Sequence, residues 1–211
     1  MTKHLLRYLN GTINVGITYQ HTNSPSHQYR TYTDATWGTE RDRTSFQGGF
    51  VKRYGGAVSW YSNRQKSIAQ SSMEAELISA NEGGKEVAWM QKLTYDLGET
   101  GTNSQLSATL FMPELFCDNQ GAIDIMKTPR LNKRSKHIDV RYMWLRRDMV
   151  EKGKLRIIHI PGKEQPADML TKQLPVVAFR KHSAALGLTG FDDQERKEVG
   201  DQSAVRSEKQ Q

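Results

Sequence analysis

Three short stretches in the first third of the chain are rich in β-formers with partial alternation of apolar and polar positions. These stretches, Tyr29–Thr36, Gln47–Tyr54 and Ala57–Ser62, read as β-strands. Only Gly55-Gly56 separates the last two, which predicts a tight hairpin. The period then changes. From Ser71-Ser72 to Leu97 small and apolar residues recur at helical spacing (Leu77, Ala80, Gly84, Ala88), with serine available as a cap and Gly98 as a stop. The stretch Glu99–Thr109 reads as a loop. A short buried strand, Leu115–Asp118, precedes a helix at Gln120–Lys127 that ends before Pro129. A basic helix is expected from about Ile138 to Glu151, a fifth strand at Leu155–Ile160, and a last helix opening at Pro166–Thr171. The order β-β-β-α-β-α-α-β-α argues for a five-stranded mixed sheet with helices on both faces.

The flanks read differently. Residues 1–20 give a short helical stretch stopped at Asn10-Gly11 and a brief β-like run, Ile13–Tyr19, with no core of their own. His21–His27 looks like a linker, and the charged residues beyond Gly190 look disordered. A length of 211 residues fits one domain with appendages. Apolar runs are too short for a membrane span or signal core, so no membrane partner is expected. A single cysteine, Cys117, excludes an internal disulfide, and a cytoplasmic or nuclear location fits. Trp60, Trp89 and Trp144 read as core or partly buried anchors.

Charge sharpens the picture. The chain carries 30 Lys+Arg against 23 Asp+Glu, a net +7, yet the stretch from Gly190 onward is net −2. The segment from Lys127 to Lys154 alone holds ten bases against three acids. Such a run is either a solvated face or a polyanion contact.

Candidate chemistry lies in acids at the ends of elements: Asp34 in TYTDATWG, Glu74 and Glu76 in QSSMEAELISA, Asp118 in LFCDNQGAI and Asp168 in GKEQPADMLTK. Strand ends in an α/β sheet face the ligand crevice. Asp118-Asn119 also suits a helix cap, and Asp168 a first-turn acid. Asp34 within a β pattern is harder to explain structurally, because Asp is depleted there. Several carboxylates in one crevice need compensating cations, and oxygen-only donors suit Mg²⁺ or Mn²⁺. Glu74 and Glu76 lie about 200° apart on a helix, so both cannot face one site, and periodicity does not choose between them.

In this order and spacing, TDATW, QSSMEAELISA, LFCDNQGAIDI, SKHIDVRYMWLRR and HIPGKEQPADMLTK resemble the RNase H domain of copia-type LTR retrotransposon polyproteins. The resemblance covers about Tyr29 to Leu174. It implies an RNase H-like domain at residues 29–174, with 1–28 as the end and tether of a reverse transcriptase. Residues 175–189 would be a helical extension and 190–211 a disordered tail. It implies an Asp-Glu-Asp-Asp centre of Asp34, Glu76, Asp118 and Asp168, both catalytic and metal-binding, with two Mg²⁺ ions (Mn²⁺ possible). Ala75-Glu76-Leu77 matches the related pattern and selects Glu76. The implied activity is metal-dependent hydrolysis of the RNA strand of an RNA–DNA hybrid, with a reverse transcriptase domain as partner in the parent polyprotein. The location would be a cytoplasmic virus-like particle or the nucleus. Gln70, Ser71, Ser72 and Asn119 adjoin the acids and could reach 2′-hydroxyls, although Ser71 or Ser72 suits a helix cap equally. Arg130, Lys133, Arg134, Lys136 and Arg141 suit phosphate contacts. The chain departs from several such enzymes in having no histidine in Pro161–Ala167, and His159 falls within a strand. A decayed fragment that only binds nucleic acid is the competing reading. An integrase-type transferase fits the motif series around Glu76 less well.

Overall fold

The computed structural model describes residues 2–20, 28–38, 43–98, 112–128 and 143–191. The elements in order are α1 (Thr2–Gly11), β1 (Gly16–Ile17), β2 (Arg30–Thr36), β3 (Phe46–Arg53), β4 (Gly56–Arg64) and α2 (Ser72–Asp96). They continue with β5 (Glu114–Cys117), α3 (Gln120–Lys127), a π-helical turn Leu145–Val150 and β6 (Arg156–His159). Two 3₁₀ turns, Gly162–Glu164 and Pro166–Leu170, lead to α4 (Val176–Ala185) and β7 (Leu188–Thr189). Among these elements no helix is long and apolar enough to cross a membrane.

The main sheet has the order β4-β3-β2-β5-β6, a mixed five-stranded arrangement flanked by helices, as expected. Strands β2, β3 and β4 form an antiparallel meander, while β5 and β6 run parallel to β2. Strand β2 therefore lies at the centre, which accounts for its near-complete burial. Successive residues of a strand point to opposite faces. Val51 and Leu115 accordingly enter one core with Leu77, Val87, Ile123, Leu145 and Ile157. Phe50 enters a second core with Ala57, Leu186, Tyr32, Met169 and Leu170. There Tyr32 stacks between Phe50 and Phe116, with ring centroids 4.9 and 4.6 Å apart.

The chain differs from its sequence reading at several points. The hairpin turn is Tyr54-Gly55, both at positive φ (53° and 84°), one residue before Gly55-Gly56. Gly56 instead pairs with Arg53, and a Cβ there would lie 2.7 Å from Ile17 Cγ2 and 2.8 Å from Tyr19 Cε1. Its smallness serves close packing rather than the turn. The expected last helix is a single 3₁₀ turn, because Thr171 N–H bonds back to Asp168 O. The described part of the basic helix winds as a π-turn that keeps Leu145 and Met149 both buried. Trp60 and Trp89 are not core anchors: they are 59% and 55% exposed, one on the sheet's edge strand and one on the flank of α2 beside Val58 and Ser59, and Trp144 is 36% exposed.

The two flanks meet. β1 pairs antiparallel with β7, Thr18 N–H donates to Gly187 O, and Ala57 N–H donates to Leu186 O. Terminal segments that lack a core of their own thus close the second core together.

Candidate active site

Parallel pairing sets Tyr32 opposite Phe116. Asp34 and Asp118, each two residues further on, therefore lie at the same end of adjacent strands, β2 and β5. Asp34 is 1% exposed and Asp118 half-buried. The turn at Pro161–Gly162 runs close over Asp118, since a Cβ on Gly162 would lie 3.2 Å from Asp118 Oδ2.

Helix α2 is stitched to β2 beside them. Ser79 Oγ donates to Asp34 O at 2.9 Å, and Ala35 N–H donates to Glu76 Oε1 at 3.2 Å. Small residues permit this approach: a Cβ on Gly83 would come within 2.5 Å of Thr33 Cγ2. The two glutamates then part. Glu74 turns back to accept Gln70 N–H at 2.8 Å, while Ser71 Oγ accepts Glu74 N–H at 3.1 Å, so both serve the helix start. Glu76 faces the crevice, where single donor atoms of Glu76, Cys117 and Asp118 all lie within 4.8 Å of one another. Its Oε2 is buried and has no hydrogen-bond partner among the described residues.

The fourth acid arrives on the 3₁₀ turn. Gln165, fully buried, donates from Nε2 to Thr33 O at 3.0 Å and accepts Ala167 N–H at its Oε1. This anchors the turn to β2 and brings Asp168 to Asp34. Between them sits Lys172, its Nζ 2.9 Å from Asp168 Oδ1 and 3.3 Å from Asp34 Oδ2. Thr171 Oγ1 also donates to Asp34 Oδ2. Neither Thr171 nor Lys172 was singled out from the sequence. Their only signal was adjacency to Asp168, at i+3 and i+4.

Electrostatics reflect the crowding. Burial first, then the carboxylates of Asp34 and Asp118, push the Glu76 carboxyl up to about 9. Burial and Asp34 raise Asp118. Burial also raises Asp168, with Lys172 opposing it and Asp34 adding to it. For Lys172 burial works against the ammonium, but Asp34 and Asp168 outweigh it and the pKa rises. Burial, then Glu76, raises the Cys117 thiol, which keeps it protonated.

The structure thus brings Asp34, Glu76, Asp118 and Asp168 into one crevice and turns Glu74 away. Ser71 and Asn119 spend their side-chain oxygens on caps, Asn119 Oδ1 accepting Ala122 N–H at 3.0 Å. Gln70 and Ser72 are exposed at the start of α2. Arg130, Lys133, Arg134, Lys136 and Arg141 lie outside the described residues. Within the rest of the basic segment, Arg146 is buried and faces Glu151 at 3.6 Å, and Lys152 pairs with Asp148. Those two are therefore committed to ion pairs within the fold. His159 is exposed on β6, opposite Cys117.

A mixed sheet whose adjacent parallel strands end in carboxylates, completed by a helix glutamate and a turn aspartate, defines an α/β protein with a candidate acidic centre. The chain is 36% identical over 189 residues to the retrovirus-related Pol polyprotein from transposon TNT 1-94 of Nicotiana tabacum, covering 88% of this chain and 13% of that protein. It is 35% identical over 188 residues to the corresponding polyprotein from transposon RE1 of Arabidopsis thaliana, covering 89% of this chain and 12% of that one. The chain is therefore homologous to one segment, about an eighth of the length, of retrovirus-related Pol polyproteins from copia-type transposons. No protein-family model matches it. Among solved structures, LC11-RNase H1 isolated from compost is similar with a TM-score of 0.46 and 15% identity, over 68% of this chain and 92% of that one.

Proposed function

We propose that this chain is the ribonuclease H part of a retrotransposon Pol polyprotein, a divalent-cation-dependent endonuclease that hydrolyses the RNA strand of RNA–DNA hybrids during reverse transcription. The observation that carries this reading is the convergence of Asp34, Glu76, Asp118 and Asp168 from four separate elements, with a buried Glu76 oxygen unpartnered among the described residues. An all-carboxylate donor set with such an orphan suits a hard cation, which would satisfy it and relieve the mutual repulsion. Two Mg²⁺ ions, or Mn²⁺, held by the four acids would activate the attacking water and stabilise the leaving 3′ oxygen.

The chain's own residues do the positioning. Gln165 sets Asp168 against Asp34, Ser79 ties α2 to β2, and Gly162 leaves Asp118 room. Under this proposal Gln70, Ser71, Ser72 and Asn119, next in the chain to the acids, meet 2′-hydroxyls, the feature that marks the RNA strand. In this reading the basic run, including Arg130, Lys133, Arg134, Lys136 and Arg141, contacts phosphates. The preceding polyprotein supplies a reverse transcriptase domain as partner.

The test is cleavage of an end-labelled RNA–DNA hybrid by the purified chain in Mg²⁺, compared with Asp118→Asn. The wild type is expected to cut the RNA strand only, and D118N to lose at least about 100-fold in rate with binding retained. Hybrid binding without cutting by the wild type would favour a binding module. Equal cutting by D118N would remove Asp118 from the centre.

A further inference from the structure

The two halves of the acidic crevice are not equivalent. On one side, Glu76 and Asp118 face each other without a direct ion pair among the described residues, and Glu76 Oε2 is unpartnered among them. On the other, the Lys172 ammonium lies 2.9 Å from Asp168 Oδ1, 3.3 Å from Asp34 Oδ2 and 3.4 Å from Asp34 Oδ1. Thr171, the preceding residue, donates its hydroxyl to the same Asp34 carboxylate.

An i,i+4 contact such as Asp168–Lys172 is by itself an ordinary surface pair. The contact with Asp34 is different. Asp34 is 1% exposed, so its carboxylate has lost its water and depends on what the protein provides. Thr171 and Lys172 provide one hydroxyl and one full positive charge. The ammonium bridges two carboxylates from elements far apart in sequence, the same two that would be needed to hold a divalent cation there.

We propose that Lys172 is a built-in counter-cation that holds the Asp34–Asp168 seat in the ion-free protein and must leave it before a divalent cation can enter. The inference rests on the reading of the four acids as cation ligands. The two seats then differ in affinity and fill in order, the Glu76–Asp118 side first. The 40% exposure of the lysine side chain gives it room to swing outward when displaced. Lys172 is a positioning residue here: it acts on the carboxylates.

The experiment is titration of the full chain with Mn²⁺ alone, followed by calorimetry, together with thermal melting in EDTA. Wild type is expected to show two binding steps of unlike affinity. Lys172→Met keeps an apolar stem of similar length and removes the charge. It should tighten the weaker step by roughly tenfold or more, shift the stronger step much less, and lower the melting temperature in EDTA. Lys172→Arg keeps a cation in the seat and should leave the weaker step weak, which separates charge from packing. Lys152→Met removes an exposed charge paired with Asp148 and should move neither step.

An unchanged weaker step in K172M, or equal tightening by K152M, overturns the proposal while leaving the four-acid centre intact. Absence of any Mn²⁺ binding by the wild type overturns both.

Discussion

Glu76 shows most clearly how one residue's surroundings set its chemistry. Its pKa rises from an ordinary 4.5 to about 9, through burial first and the carboxylates of Asp34 and Asp118 next. Below about pH 4.5 the folded and unfolded chains both hold this proton. Between 4.5 and about 9 the unfolded chain has released it and the folded chain retains it, so folding takes up a proton and stability falls as pH rises. Above about 9 that loss is complete. In EDTA, denaturant melts of the wild type should therefore weaken from pH 5 to pH 9. Glu76→Gln should flatten this slope and stabilise the protein at pH 8 by on the order of 2 kcal/mol. Under the proposed function, saturating Mg²⁺ should reverse the ranking, because an anionic carboxylate holds a hard cation far better than a neutral amide. Glu74, two residues away, points elsewhere and accepts Gln70 N–H at its own helix start.

At the scale of elements, the site depends on how closely α2 can approach β2. Gly83 faces Thr33, and Gly84 faces Leu145, where a Cβ would lie 2.4 Å from Leu145 Cδ1. Alanine is the better helix former by about 1 kcal/mol. At Gly83 it would nonetheless force the helix away from the strand, so Gly83→Ala should destabilise by about 1–3 kcal/mol in urea unfolding. The shift should also separate Glu76 from Asp34, with cleavage falling more than stability alone explains. Strand and helix types were legible in the sequence because alternation and 3.6-residue spacing are local. The turn register was not: two glycines advertised Gly55-Gly56, but Gly56 was needed to let Ile17 and Tyr19 close in. The expected helix at Pro166 is one turn that closes with Thr171 N–H on Asp168 O, and its start is fixed by Gln165, which no local pattern shows to be buried against Thr33 O.

At the scale of the whole molecule, the two flanks are joined across the second core. Leu186, 7% exposed, packs with Phe50 and Ala57, and its carbonyl accepts Ala57 N–H beside the β1–β7 pair. Leu186→Ala should cost about 2–4 kcal/mol, measured by chemical denaturation, because the cavity opens beneath the sheet that carries Asp34. Stability should fall while the cation-binding steps keep their order. Read alone, residues 1–20 and 176–188 had no partner to suggest this. Their few apolar residues have meaning only once Ile17 and Leu188 meet.

The sequence alone determined the run of strands, the mixed sheet, and Asp34 as a residue out of place in its local pattern, while Asp118 and Asp168 suited a cap and a first turn equally well. Those features are recorded within a few residues of chain, through alternation, caps and the rarity of Asp in strands. Periodicity left Glu74 and Glu76 equivalent, and only the resemblance selected Glu76. Tertiary packing is what turns Glu76 into the crevice and Glu74 to the helix start, since two sides of one helix are equivalent until a sheet packs against one of them. It also decided that Lys172, an unremarked neighbour of Asp168, lies against Asp34. Charges far apart in sequence interact at full strength only where folding has brought them within a few ångströms and removed the water between them.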